Sequence, residues 1–109
     1  MSEKTDRIEQ EIADFLTEQK RREDLNEGHL MEVSRWATYA SRQRGELGTQ
    51  AAIGALSPAE YEQRLSALAD EVIGQVGAVT LPEKVRKMAE MAKIEPAEYA
   101  RQLYRGRRR

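Results

Sequence analysis

Ser57-Pro58-Ala59-Glu60-Tyr61-Glu62-Gln63-Arg64-Leu65-Ser66-Ala67-Leu68-Ala69-Asp70-Glu71-Val72 carries the signals that start and sustain a helix. The Ser57 hydroxyl can accept from a first-turn amide, and Pro58 has no amide to lose at the first helical position. Glu60 stands at the offset that completes a capping box. Tyr61, Leu65, Leu68 and Val72 then recur at i, i+4, i+7 and i+11, one apolar stripe along one face. Gly74 and Gly77 predict its end. A chain organised around such a segment reads as mostly α.

Upstream, Thr5 to Leu25 reads as an amphipathic helix. Ile8, Ile12, Phe15 and Leu16 fall at helical spacing among Glu, Lys, Arg and Gln. Thr5 or Asp6 can cap its first turn, with Glu9 completing a capping box. The stripe is narrow, like a coiled-coil seam, so Ile8, Ile12 and Phe15 are expected at a protein interface. Asn26-Glu27-Gly28 breaks the pattern, and a second helix is expected from His29 to Arg44, with Leu30, Val33, Ala37 and Ala40 on one stripe. Trp36 extends that stripe. Trp36 and Tyr39, three apart, are expected to plug a core or a protein interface. Gly45, Gly48 and Gly54 bracket Thr49-Gln50-Ala51-Ala52-Ile53, which reads as a loop with at most one helical turn.

Downstream, Val76 to Leu81 reads as a short β-like stretch closed by Pro82. Pro82 can start a fourth helix with Leu81, Val85, Met88 and Ala92 on one face. Lys93-Ile94-Glu95 turns the chain, and Lys93 disfavours a left-handed conformation there. Pro96 opens a fifth helix with Tyr99 and Leu103 inward, stopped by Gly106. The expected fold is therefore about five helices and at most one short strand. Residues 1–74 form an acidic helical protein-interaction region, and residues 75–109 a basic helix-turn-helix hairpin. Pro-Ala-Glu-Tyr occurs at both Pro58 and Pro96, an echo expected of any proline-started helix with an acidic first turn.

Composition bounds the function. Leu, Ile, Val and Phe total only 20 of 109 residues, against 14 Ala, which implies a thin core completed by a partner protein or a second copy. The formal net charge of −1 hides a segregation: residues 1–78 carry 9 Lys/Arg against 15 Asp/Glu, and residues 79–109 carry 9 against 4. An acidic front and a basic end, closing with Arg105-Gly106-Arg107-Arg108-Arg109, suggest a terminus that meets a polyanion. The plainer reading is that the cluster solubilises the end or pairs with the acidic front. With no Cys, there is no disulfide scaffold, thiolate metal site or cysteine nucleophile. His29 is the single histidine, and no Gly-rich loop precedes Lys-Ser/Thr. The expectation is a non-enzyme with no metal, cofactor or small-molecule substrate. No apolar run nears the roughly 18 residues of a membrane span and no signal-peptide pattern opens the chain, so the default is a cytoplasmic protein without membrane contact.

The stretch from Val79-Thr80-Leu81-Pro82 through Lys87-Met88-Ala89, Ile94, Glu98-Tyr99, Arg101 and Leu103 resembles the ribbon-helix-helix family of small DNA-binding domains, over about 30 residues. The resemblance implies a dimer whose paired strands lie in the major groove, with Val76, Ala78 and Thr80 facing the bases. Of these, only Thr80 can donate or accept at a base edge. The same stretch can be read as an ordinary helix-turn-helix with Pro96 to Tyr104 as recognition helix, offering Arg101, Gln102 and Arg105 to bases or phosphates. It can equally be a plain helical hairpin with Met88, Met91, Tyr99 and Leu103 as core.

The leading expectation is a small nucleic-acid-associated regulatory protein, with DNA ahead of RNA. Its contacts would come from Thr80, Lys84, Lys87, Arg101, Gln102, Arg105, Arg107, Arg108 and Arg109. Tyr104, beside Arg105, could stack on a base. The other class is a helical adaptor, inhibitor or small subunit of a larger assembly. A homodimer or a stable partner protein is expected under either.

Overall fold

A computed structural model describes residues 3–106. Five α-helices follow in chain order: α1 (Glu3–Arg21), α2 (Glu27–Ala52), α3 (Pro58–Thr80), α4 (Glu83–Met91) and α5 (Pro96–Tyr104). Helix α3 is the axis of the molecule, with α1, α2 and α5 packed around it and α4 folded onto α5. The shortest dimension is 18 Å, room for about two layers of helices.

Helix α3 starts as its sequence dictates. The Ser57 hydroxyl accepts from the Glu60 amide at 3.1 Å, and the Glu60 carboxylate accepts from the Ser57 amide at 2.9 Å. That pair of bonds, the Ser57 backbone amide first, holds the Glu60 carboxyl below its ordinary range. A depressed carboxyl contributes stability above its unfolded titration range and loses it as pH falls through the lowered value. Ser57→Ala should cost about 1 kcal/mol in urea titrations. Glu60→Gln should remove this residue's share of the loss of stability in acid.

The end of α3 differs from the sequence reading. Gly74 and Gly77 do not stop the helix, and Val76 to Thr80 are helical rather than extended; there is no strand among the described residues. The physical reason lies in what surrounds these positions. Gly77 lies where a Cβ would overlap the Ala100 methyl, and the Arg101 guanidinium occupies the space a Cβ on Gly74 would need. The two glycines are the seat of α5 and not a break. The open carbonyls at the end of the helix are met by two arginines. Arg22 donates to the Thr80 carbonyl at 2.6 Å, and Arg86 donates to that of Ala78 at 3.0 Å. Cations at a helix C-terminus also oppose its partial negative charge. Helix α3 therefore carries the chain straight through residues 74 and 75.

Helix α2 likewise outruns its expected end at Arg44 and continues through 49–52, with Gly45 and Gly48 inside it. The Asn26 side chain caps it by accepting from the His29 amide at 2.8 Å. Helix α1 begins before Thr5, which is buried within it and so is not its cap.

The core is built from Ile12, Phe15 and Leu16 of α1, Val33, Ala40 and Leu47 of α2, and the Tyr61–Leu65–Leu68–Val72–Val76 stripe of α3, joined by Ile73. Few large aliphatic side chains suffice because Gly74, Gly77, Ala69 and Ala100 let backbones approach closely, and close packing replaces bulk. Helix α1 turns a polar pair inward as well. Glu11 and Gln19 are buried beside the apolar stripe.

Candidate functional site

The residues expected to meet ligand lie mainly on α4, α5 and the end of α3. Arg105, just past α5, points back into the molecule. Its guanidinium is 2.5 Å from the Glu11 carboxylate of α1 and 2.6 Å from that of Asp70 on α3. It also donates to the Ser66 carbonyl at 2.9 Å and to the Ser66 hydroxyl at 3.1 Å. Glu11 is 7% exposed and Arg105 19%, so this contact is largely withdrawn from water. A planar fork of donors suits such multiple acceptance. At this residue the basic end pairs with the acidic front inside one chain.

Thr80 is buried at the last turn of α3, and its hydroxyl donates to the Val76 carbonyl at 3.0 Å. It presents nothing to a base edge, which corrects the strand placement read from the sequence. Val76 is also buried. Tyr104 does not stand out for stacking; its ring meets Phe15 edge-on, with centroids 4.8 Å apart. Arg101 is half-buried, bonded to Glu98 at 3.0 Å, and lies over Gly74. Lys84, Lys87 and Gln102 are exposed. Arg107, Arg108 and Arg109 lie outside the described residues.

The residues expected at a protein interface are mostly inside. Ile12 and Phe15 are buried, and Ile8 is half-buried against the same core. The α1 seam is thus closed by the chain itself, because α3 presents a complementary stripe. Trp36 and Tyr39 pack edge to face at 5.2 Å and lean on the core. The Tyr39 hydroxyl donates to Glu71 at 2.8 Å, which raises its pKa above the ordinary phenol range.

Outward-facing apolar side chains occur elsewhere. Met31, Ile53, Met88 and Met91 are the large hydrophobic residues left exposed among those described. Helix α4 is rotated from the expected face. Val85, Arg86 and Ala89 turn inward, since Arg86 reaches the end of α3, and Met88 and Met91 turn out. Lys93 takes the left-handed conformation, φ 57°, that its side chain disfavours. That local strain lets α5 double back under α4.

Between α3 and α5 lies a cleft of about 650 Å³ lined by Ser66, Asp70, Glu98, Arg101, Gln102 and Arg105. Arg105 pairs with Asp70 across it, and Arg101 pairs with Glu98 along α5. Among the described residues, no group of three or more His, Asp or Glu is placed to hold a metal ion, and no helix is long and apolar enough to cross a membrane.

Sequence reasoning missed Glu11, Ser66 and Asp70 as partners of Arg105. A signal was present for one of them: Glu11 falls inside the Ile8–Ile12–Phe15 sector, where an acid needs a partner. No known protein family, no curated protein and no solved structure matches this chain.

Proposed function

We propose that this chain is a non-catalytic helical interaction protein, an adaptor or small subunit that binds protein through its exposed helical surface. The observation that carries this reading is the division of labour among its side chains. Arg105 and Thr80, two of the residues best suited to phosphate or base contact, are spent on internal bonds. Met31, Ile53, Met88 and Met91 stand outside a core that is already closed. Flexible, polarizable methionines suit protein surfaces that accept partners.

A second reading, nucleic-acid association, is favoured by one observation. Lys84, Lys87 and Gln102 remain exposed on the segment that leads to Arg107, Arg108 and Arg109. A salt titration with labelled duplex DNA and single-stranded RNA separates the two. The interaction reading expects no affinity for either at low salt. Binding whose logarithm falls with salt by roughly 0.9 per phosphate contact on duplex, and which weakens on deleting Arg107 to Arg109, would replace it with the second reading.

A further inference from the structure

The outer face of α4 has no partner among the described residues. Met88 and Met91 are 55% and 85% exposed, on a helix whose single buried residue is Ala89. Lys84 and Lys87 precede the methionines, Glu90 lies between them, and Glu95 follows in the turn; all four charged residues are exposed. This order is not explained by the helix itself. Its own dipole favours acids first and bases last, and α4 has no base in its last turn. Glu83 obeys the dipole, but it holds Lys87 only loosely, at 3.9 Å with both side chains in water.

The geometry points to a second copy of this chain as the occupant of the face, α4 against α4, antiparallel about a two-fold axis. Under that symmetry the same patch must fit itself. Antiparallel, Met88 of one copy meets Met91 of the other, and the two methionine pairs form the seam. In that register Lys87 comes within a turn of Glu90 of the second copy on the same flank of the seam, a pair made twice. A parallel pairing would set lysine on lysine and glutamate on glutamate. For a polyanion, Glu83 and Glu90 offset Lys84 and Lys87, so the exposed side chains of α4 offer it no net positive charge. The patch is small, a nine-residue helix, so the association belongs with weak and transient contacts. This inference rests on the interaction reading above and names its partner.

The test uses the full chain, which has no cysteine of its own. Met88→Cys and Met91→Cys proteins are mixed and oxidised, and sedimentation velocity follows the unmodified chain across concentration. The expected result is concentration-dependent dimer and a mixed 88–91 disulfide in several-fold excess over 88–88 and 91–91. Lys87→Glu should weaken the dimer, and Lys87→Glu with Glu90→Lys should restore it, with circular dichroism unchanged throughout. A monomer at every concentration, three disulfides in the proportions of random collision, or a double variant no better than the single one would overturn the pairing. A monomer that also fails to bind nucleic acid removes this pairing alone, whereas salt-dependent nucleic-acid binding removes the interaction reading itself.

Discussion

Arg105→Ala should destabilise the protein by about 3 kcal/mol in urea denaturation, the cost expected when one member of a buried ion pair is removed. The effect comes mostly through Glu11. Its side chain is only 7% exposed, so its carboxylate would stay in the low-dielectric interior without the arginine's charge. Asp70, 52% exposed, is solvated either way and contributes little. Arg105→Lys should recover only part of the loss, because one ammonium cannot span Glu11, Ser66 and Asp70 together. A residue kept for phosphate contact would behave in the opposite way, with stability unchanged on removal.

Gly77→Leu should cost about 3 kcal/mol, as overpacking of a closed contact does. Any Cβ at this position overlaps the Ala100 methyl, and a methyl on a helix backbone has nowhere to swing. Helices α3 and α5 would have to part, taking α4 with them. The neighbouring glycines provide the contrast. At Gly74 the obstacle is the far end of Arg101, a side chain that can move, so Gly74→Ala should be close to neutral. At Gly45 and Gly48 an added Cβ meets nothing within 4 Å, so alanine at either should stabilise α2 by about 0.8 kcal/mol. Urea midpoints for these four variants and for Gly77→Ala check the order. Gly77→Ala as stabilising as Gly45→Ala would mean that α5 does not sit on this glycine.

The same glycines show what sequence reading reaches and what it does not. Five helices, the Ser57 cap and the Pro96 start were legible because caps and apolar periods are local. Gly74 and Gly77 look the same in sequence whether they break a helix or seat another one against it. Only the approach of Ala100 and Arg101, more than twenty residues on, decides between them. Helix α4 was misread by one position for a related reason. Met88 is as apolar as a core residue, but Arg86 is held to the end of α3 and fixes the rotation that leaves Met88 outside. The α1 stripe was read correctly as apolar and wrongly as free, since the stripe that covers it belongs to α3. For the candidate site, charge segregation was plain in composition, but composition cannot show that Arg105 meets Glu11 across 94 residues of chain.

Arg105 ties the end of α5 to the acidic front of the chain, at Glu11 of α1, as part of the fold. A double-mutant cycle between Arg105→Ala and Glu11→Gln, read by urea unfolding of all four proteins, tests it most directly. The two losses should not add, with a coupling of at least about 1 kcal/mol between the sites. Additive losses, or an Arg105→Ala protein as stable as the parent, would contradict it.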